Sequence, residues 1–149
     1  MQSEPQLGQS LGSGMIDLKG GSEKRQLTNF TGEGMDRWHF LSKVTNQECT
    51  PASKSKGQIL RVVYWFVQEV DCLNDRTQKL ERAIRTVLVD DHGEAYDFVS
   101  EGIYSCLRTM VAEMGMGPYD PPLEVIPREG ESKRNRRYYW LEPVPREVA

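Results

Sequence analysis

One long segment of this chain is apolar at most positions, and several shorter segments alternate apolar and polar residues. β-Branched and aromatic residues dominate Gln58 to Val70, a composition typical of a strand. Strand alternation predicts that Val62, Tyr64, Phe66 and Val70 face the core. It places on the other face Arg61, Val63, Trp65, Val67 and Glu69. That second face is too apolar for solvent alone, so we expect it to be covered or used for binding.

Shorter segments predict four further strands. Their expected bounds are Ala83 to Asp90, Ala95 to Val99, Leu123 to Ile126 and Arg137 to Glu142. Between the first two of these, Asp90 to Glu94 has the Asp, His and Gly residues of a tight turn. The apolar residues between Asp75 and Leu88 also fit a helical stripe, so a short helix is an alternative there.

One segment has a clear helical pattern. Ser100 is a suitable N-cap, and a helix is predicted from Glu101 to Met114, where Gly115 follows. Its apolar stripe is formed by Ile103, Leu107, Met110, Val111 and Met114. We expect this stripe to be core.

The N-terminal part differs in composition from the rest. Residues 1–34 are predicted to be a flexible tail and arm, since Met1 to Gly14 contains few apolar residues. Trp38, Phe40 and Val44 recur with period two, which predicts a short first strand or packed arm. We expect a single domain over residues 35–145, followed by a short tail at residues 146–149.

From Gln58 the predicted order is strand, strand, strand, helix, strand, strand. This is the order of an OB-fold, a five-stranded Greek-key barrel with a helix between its third and fourth strands. The expected fold is therefore mainly β with one helix, an OB-fold-like barrel with an N-terminal extension. In that fold, the loops after the first and fourth strands flank the oligonucleotide groove.

Charge is distributed unevenly along the 149 residues. From Arg128 to Arg137 there are five basic and two acidic residues, a local charge of +3, whereas the whole chain has −3, so the remainder has −6. A weakly acidic body excludes a general, histone-like binder and restricts any nucleic-acid contact to a local site.

Three widely spaced cysteines encode neither a disulfide framework nor a paired-cysteine zinc site. No apolar run approaches the ~20 residues of a membrane span, so we expect a cytoplasmic protein, in the host cytoplasm if it is viral.

The basic segment leads directly into Tyr138, Tyr139 and Trp140. Alternation predicts one face with Arg134, Arg136, Tyr138 and Trp140, and an opposite face with Arg137, Tyr139 and Leu141. Guanidinium groups beside exposed rings suit single-stranded nucleic acid, whose phosphates are anionic and whose bases stack. The other expected loop, Asp71 to Arg82, also contains basic residues, and Trp65 would be a stacking platform between the loops. The candidate nucleic-acid-binding residues are Arg61, Trp65, Arg76, Lys79, Arg82, Lys133, Arg134, Arg136, Arg137, Tyr138 and Trp140.

A resemblance covers Ile84 to Leu141. This part of the chain is similar to small single-stranded DNA-binding proteins of bacteriophages and mobile elements. Three features carry the similarity: the segment from Val87 to Tyr104, which reads Val-Leu-Val-Asp-Asp-His-Gly-Glu-Ala-Tyr-Asp-Phe-Val-Ser-Glu-Gly-Ile-Tyr, a later Pro-Pro-Leu-Glu-Val-Ile, and a basic, aromatic last strand. The resemblance implies an OB-fold and a role in phage or mobile-element DNA replication.

The predicted function is single-stranded DNA binding without strong sequence preference, and the same chemistry also suits RNA. No cofactor, metal or membrane is expected, and a second copy or a replication protein is a further expected partner. The alternative is a non-catalytic interaction module, such as a phage factor that binds a host protein or a minor virion component. An enzyme would have to use Asp90, Asp91, His92, Glu94 and Asp97. Because these are ordinary turn formers, no catalytic role is predicted for them.

Overall fold

The computed structural model describes residues 25–45, 49–74, 76–131 and 137–145, and of Arg137 only the backbone. Its helices are α1 (Met35–Thr45), α2 (Ala52–Ser55) and α3 (Glu101–Met114). Its strands are β1 (Gln26–Thr28), β2 (Thr50–Pro51), β3 (Leu60–Asn74), β4 (Lys79–Asp90), β5 (Ala95–Val99), β6 (Leu123–Glu131) and β7 (Arg137–Pro143). None of the described helices has the length and apolar character needed to cross a membrane.

The strands form one curled, mixed sheet that makes a half-barrel. Its order is β2-β5-β4-β3-β6-β7, with β1 paired to β3 off this path. The expected mainly β class is confirmed, but the described chain has seven strands and three helices where five strands and one helix were predicted. The additional elements β1, α1, β2 and α2 all precede β3, and β1 and α1 lie where the sequence predicts an arm.

Strand β3 is covered on both faces, which corrects the predicted core face. A β-bulge between Val62 and Tyr64 shifts the alternation by one residue, so Val62 packs on the same side as Trp65 and Val67. Phe66 belongs to the core on the other side. The face on which the sequence places Trp65 is therefore buried and not available for binding.

Helix α1 replaces the strand or arm predicted around Trp38. Phe40 and Val44, spaced i and i+4, are its buried residues, while Trp38 is 65 % exposed. Apolar residues at 38, 40 and 44 fit period two in part, but only the i, i+4 pair contacts the sheet. We name the sheet side that α1 covers the α1 face, and the opposite side the α3 face.

Helix α3 has the predicted bounds and cap. The Ser100 hydroxyl accepts a hydrogen bond from the Ile103 amide at 3.3 Å. Ile103 and Leu107 of the predicted stripe are buried against the sheet, and Met110 and Val111 are partly buried there. Met114 is 53 % exposed, so the prediction that it is core is wrong. A β-carbon at Gly102 would lie 2.0 Å from the Tyr139 carbonyl oxygen, so only glycine allows the first turn of α3 to approach β7 this closely.

Two segment boundaries also differ from the predictions. Strand β1 pairs with Gln68 to Phe66 of β3, so residues 26–28, within the predicted tail and arm, are part of the sheet. The predicted loop from Asp71 to Arg82 instead extends β3 and β4, which pair as far as Asn74 and Lys79. The helical alternative for this region is wrong, because its residues form a β-ribbon.

Candidate functional site

The outer surface of the β6–β7 hairpin presents two stacked aromatic rings. The ring centroids of Tyr138 and Trp140 are 5.3 Å apart with an interplanar angle of 27°. Tyr138 is 48 % exposed and Trp140 is partly buried. Both lie on the α1 face of the sheet, which α1 covers over β3 to β5 but leaves open at this hairpin. We call this pair the aromatic ladder.

Gly130 gives the ladder its position. It is the cross-strand partner of Tyr138, and a β-carbon there would lie 2.9 Å from the Tyr138 ring and 3.0 Å from the Trp140 ring. Both rings therefore pack directly on the backbone of Gly130, in space that any larger residue would fill with its side chain. An aromatic ring that covers a strand glycine also stabilises the hairpin, so the ladder has a structural role besides any binding role.

The opposite side of β7 is anchored in the core. Leu141 is 7 % exposed, and Tyr139 packs beside it under α3. The Leu141 amide donates a hydrogen bond to the Cys106 sulfur at 3.3 Å. The predicted alternation of Tyr138 and Trp140 against Tyr139 and Leu141 is thus confirmed, because a packed inner face holds the register.

The charged residues around the ladder are only partly described. Arg128 lies across from Trp140 and its Nε donates to Glu142 at 2.7 Å. Lys133, Arg134 and Arg136 lie outside the described residues, and of Arg137 only its place at the start of β7 is known. The sequence nevertheless places four basic residues within Lys133 to Arg137, directly before the ladder.

Trp65 does not belong to this site, which corrects the predicted stacking platform. It is 2 % exposed, and its indole Nε1 donates to the Met116 carbonyl at 3.3 Å. Asn29, at the end of β1, accepts a hydrogen bond from the Trp65 amide at 2.8 Å. With its ring in the core and its polar groups satisfied, Trp65 is a structural residue.

Arg61 lies on the α1 face but is held by two acidic groups. Its guanidinium donates to Asp91 at 2.8 Å and to Glu124 at 3.0 Å. The Arg61 hydrogen bond holds the pKa of Asp91 below its ordinary value, so this ion pair is formed at neutral pH. A phosphate would have to compete with both carboxylates for Arg61.

The remaining predicted basic residues, Arg76, Lys79 and Arg82, belong to the other long hairpin. Arg82 donates to Glu69 at 3.3 Å and lies 3.5 Å from Asp71. Strand β6 pairs with the first residues of β3, whereas this hairpin extends from its last residues. The described parts of the two hairpins therefore extend from opposite ends of β3.

The acidic cluster considered for an enzyme forms the predicted turn. Asp90 Oδ1 accepts hydrogen bonds from the amides of His92 and Glu94 at 2.9 and 2.8 Å. Glu94 accepts from Thr50 at 2.8 Å, and Asp97 binds Arg85 at 3.2 Å. Within the described ranges, no three His, Cys, Asp or Glu side chains are placed to hold a metal ion.

Two residues of the ladder region, Arg128 and Gly130, were not among the predicted site residues. Gly130 had a recognisable signal, because a glycine inside a β segment marks a place where another group approaches the backbone closely. Arg128 is the first residue of the basic segment, but its position opposite Trp140 depends on the register of the hairpin.

Comparisons with protein-family models, curated proteins and solved structures give no match. The functional interpretation therefore depends on the chemistry of the residues themselves. The structure provides an outward pair of stacked rings, and the sequence places a run of basic residues directly before it.

Proposed function

We propose that this protein binds single-stranded DNA without strong sequence preference through the β6–β7 hairpin. The observation that supports this most directly is the aromatic ladder, an exposed tyrosine stacked on a tryptophan on an uncovered sheet face. Every base has a π face, so stacking on such rings tolerates any sequence. The basic residues from Lys133 to Arg137 would contact the phosphates of the same strand.

The order of the elements supports this location. Strands β3, β4 and β5, helix α3, and strands β6 and β7 follow the order of an OB-fold, and β6 pairs with β3 as well as with β7. In this proposal the half-barrel is a variant of that fold, and the β6–β7 turn is the loop that flanks an oligonucleotide groove. The replication role in a phage or mobile element rests on the resemblance of Ile84 to Leu141.

A fluorescence titration with labelled oligo-dT at several salt concentrations tests the proposal. Contact with about four phosphates predicts a slope near −3 for log affinity against log salt, from roughly −0.7 per phosphate of a single strand. A duplex of the same length should bind more weakly, since its bases are not free to stack on the ladder. Equal affinity for duplex and single strand, or binding that does not respond to salt, would contradict the proposal.

The same titration has a matched control within the chain. Trp140→Ala removes a ladder ring, whereas Trp38→Ala removes a ring that is 65 % exposed on α1. We expect only the first change to weaken binding. If both variants and the wild type fail to bind any single strand, the non-catalytic protein-interaction module becomes the favoured function.

A further inference from the structure

The residues on the α1 face of the β6–β7 hairpin lie in rows across the two strands. Alternate residues share a face, so three successive cross-strand pairs lie on this side. Counted from the turn, the pairs are Gly130 with Tyr138, Arg128 with Trp140 and Ile126 with Glu142. Neighbouring rows are about 7 Å apart, since each strand residue rises about 3.3 Å. The two ladder rings therefore occupy the first two rows, and a carboxylate lies in the third.

The third row and the residues beyond it are acidic. Glu142 is half exposed and accepts a hydrogen bond from Arg128 at 2.7 Å. Beyond it, Glu124 lies on the same face of β6, and its carboxylate binds Arg61 of β3 at 3.0 Å. Asp91, from the turn between β4 and β5, binds the same guanidinium at 2.8 Å. Three carboxylates therefore bind two guanidinium groups here, a net charge of −1. We call Glu142, Glu124 and Asp91 the acidic row.

The two ends of the aromatic ladder therefore differ in charge. Before Tyr138, the sequence has four basic residues and no acidic one from Lys133 to Arg137. After Trp140, both guanidinium groups that β3 and β6 present on the α1 face are already bound by carboxylates. A phosphate at this second end would meet Glu142 and would have to displace an existing ion pair. The charge of the described surface therefore opposes a strand that passes over Trp140 towards β3.

The stacking of the two rings favours the same direction. Their centroids are 5.3 Å apart with an interplanar angle of 27°, so they stack on each other and a base has no space between them. Tyr138 lies nearer the turn and is 48 % exposed, whereas Trp140 is partly buried. A base that continues this stack therefore lies on Tyr138, and Trp140 supports the tyrosine ring from the other side.

We propose that the acidic row ends the binding track at the aromatic ladder, so that the bound strand runs from Tyr138 towards the turn. This inference rests on the proposed function and specifies the ligand of that site. One base on Tyr138 and about four phosphates at the basic residues correspond to about five nucleotides, near the lower limit for single-strand binders. The protein therefore binds short single-stranded segments, such as strand ends, gaps and loops.

Competition between strands of different length tests the size of the site. Unlabelled oligo-dT of three to twenty nucleotides displaces one labelled strand, and each affinity is divided by the number of positions at which one molecule can bind. We expect the corrected affinity to rise about fivefold with each added phosphate up to about five nucleotides, and then to stay constant. A corrected affinity that still rises beyond about ten nucleotides overturns the proposal. Absence of binding at every length would contradict the proposed function, and this inference with it.

Removal of one carboxylate should lengthen the track. Glu142→Gln frees Arg128, so for strands of ten or more nucleotides we expect affinity to increase about fivefold near 0.1 M salt and the salt slope to steepen by about 0.7, the value of one further phosphate contact. The fold should persist, since the Arg128–Glu142 pair is exposed. Glu113→Gln is the matched control, because it removes the same charge from an exposed position on α3, on the other side of the sheet. No gain from Glu142→Gln, or an equal gain from both variants, overturns the proposal.

A second substitution identifies the group that makes the added contact. Arg128→Gln combined with Glu142→Gln should return the affinity and the salt slope to the wild-type values, because the freed guanidinium is then absent. In the wild type, Arg128→Gln should change affinity by less than about twofold, since Arg128 is already bound to Glu142. A fivefold loss from Arg128→Gln alone would show that the strand already passes the ladder. That result overturns the proposal, as does a double variant that retains the gain while its circular dichroism matches the wild type.

Discussion

The two long hairpins of this protein, β3–β4 and β6–β7, contain similar residue types but lie in different structural surroundings. Each contains a tryptophan, Trp65 on β3 and Trp140 on β7, and each has basic residues near its turn. In the β3–β4 hairpin the tryptophan is 2 % exposed, and Arg82 is bound to Glu69 and Asp71. In the β6–β7 hairpin the tryptophan stacks on an exposed tyrosine at an open sheet face.

The difference shows that position in the sheet determines what a residue can do. Strand β3 has neighbours on both edges and cover on both faces, so its apolar residues are core whichever way they point. Strand β7 is the last in the strand order, and α3 covers one face of it.

Charge balance separates the hairpins as clearly as burial does. Between Asp71 and Arg82 three acidic residues match three basic ones, whereas Lys133 to Arg137 contains four basic residues and no acidic one. Local net charge, and not the number of basic residues, therefore distinguishes the segment suited to phosphate.

The largest expected effect is the loss of folding stability when a tryptophan is removed, and it should differ between Trp65 and Trp140. Trp65→Ala should cost about 3–5 kcal/mol of unfolding free energy, since it leaves a cavity in the core. Trp140→Ala should cost far less, because its ring lies on an open face. Urea denaturation followed by circular dichroism measures both. Equal losses would mean that the Trp140 ring is core and that the hairpins do not differ in this respect.

The next largest effect is the loss of affinity for oligo-dT when the basic residues before the ladder are neutralised. Neutralising Lys133, Arg134, Arg136 and Arg137 with glutamine should lower affinity for oligo-dT by about 10²–10³-fold near 0.1 M salt and flatten its salt dependence. The matched control replaces Arg76, Lys79 and Arg82, which should change single-site affinity little. The titration is made with an oligonucleotide that holds one molecule. A larger loss from the control set would reverse the assignment of the two hairpins.

Removal of single ladder rings should have a smaller effect. Tyr138→Ala or Trp140→Ala should each reduce affinity by about 1–3 kcal/mol with the salt slope unchanged, because stacking is lost and phosphate contacts remain. A slope that falls together with affinity would show that the rings act only by positioning the basic segment. Fluorescence anisotropy at several salt concentrations separates these outcomes.

A smaller loss of stability and affinity is expected when Gly130 is replaced by alanine. Gly130→Ala should separate the ladder rings and lower both stability and affinity by about 1 kcal/mol, since the new methyl group overlaps the Tyr138 ring. With Tyr138→Ala present, the same change should cost clearly less, because the overlap is gone. A double-mutant cycle measures this coupling, and strict additivity would show that the glycine does not support the ladder.

The smallest effect is a pH dependence in the other hairpin. The Arg25 hydrogen bond lowers the pKa of Glu69 from 4.5 to about 2. A carboxyl group with a depressed pKa stabilises the fold above its ordinary pKa, and this stability is lost as pH falls from about 4.5 towards 2. Because Arg25 is exposed, we expect less than about 1 kcal/mol. Glu69→Gln should remove this part of the acid sensitivity, and Glu113→Gln, without an ion pair in the described chain, should not. Equal acid melting curves for wild type and Glu69→Gln would contradict the assignment.

Local signals in the sequence located the second half of the fold well. The Asp90 to Glu94 turn, strand β5 and helix α3 occupy the predicted positions, and β6 and β7 overlap theirs. These elements are set by neighbouring residues: the Asp90 side chain caps its own turn, and the Ser100 hydroxyl caps its own helix. The two sides of β7 were also predictable, because strand alternation depends only on sequence spacing.

The first half of the fold depended on contacts distant in sequence. Nothing near Phe40 and Val44 distinguishes their spacing from that of a strand, and α1 forms where those two residues reach the sheet. The bulge that moves Val62 to the side of Trp65 appears only in the pairing of β3 with β4.

Sequence alone therefore determined the composition of the candidate site: a basic segment followed by alternating aromatic residues, with a glycine across the turn. Only the tertiary structure decided which of those residues face outward, because burial depends on which helix covers which face of the sheet. Trp65 and Trp140 have the same side chain, yet α3 and the chain around Asn29 enclose the first, while no described element covers the ladder face of β7. Residue chemistry is local, but exposure results from long-range packing, and a binding site requires both.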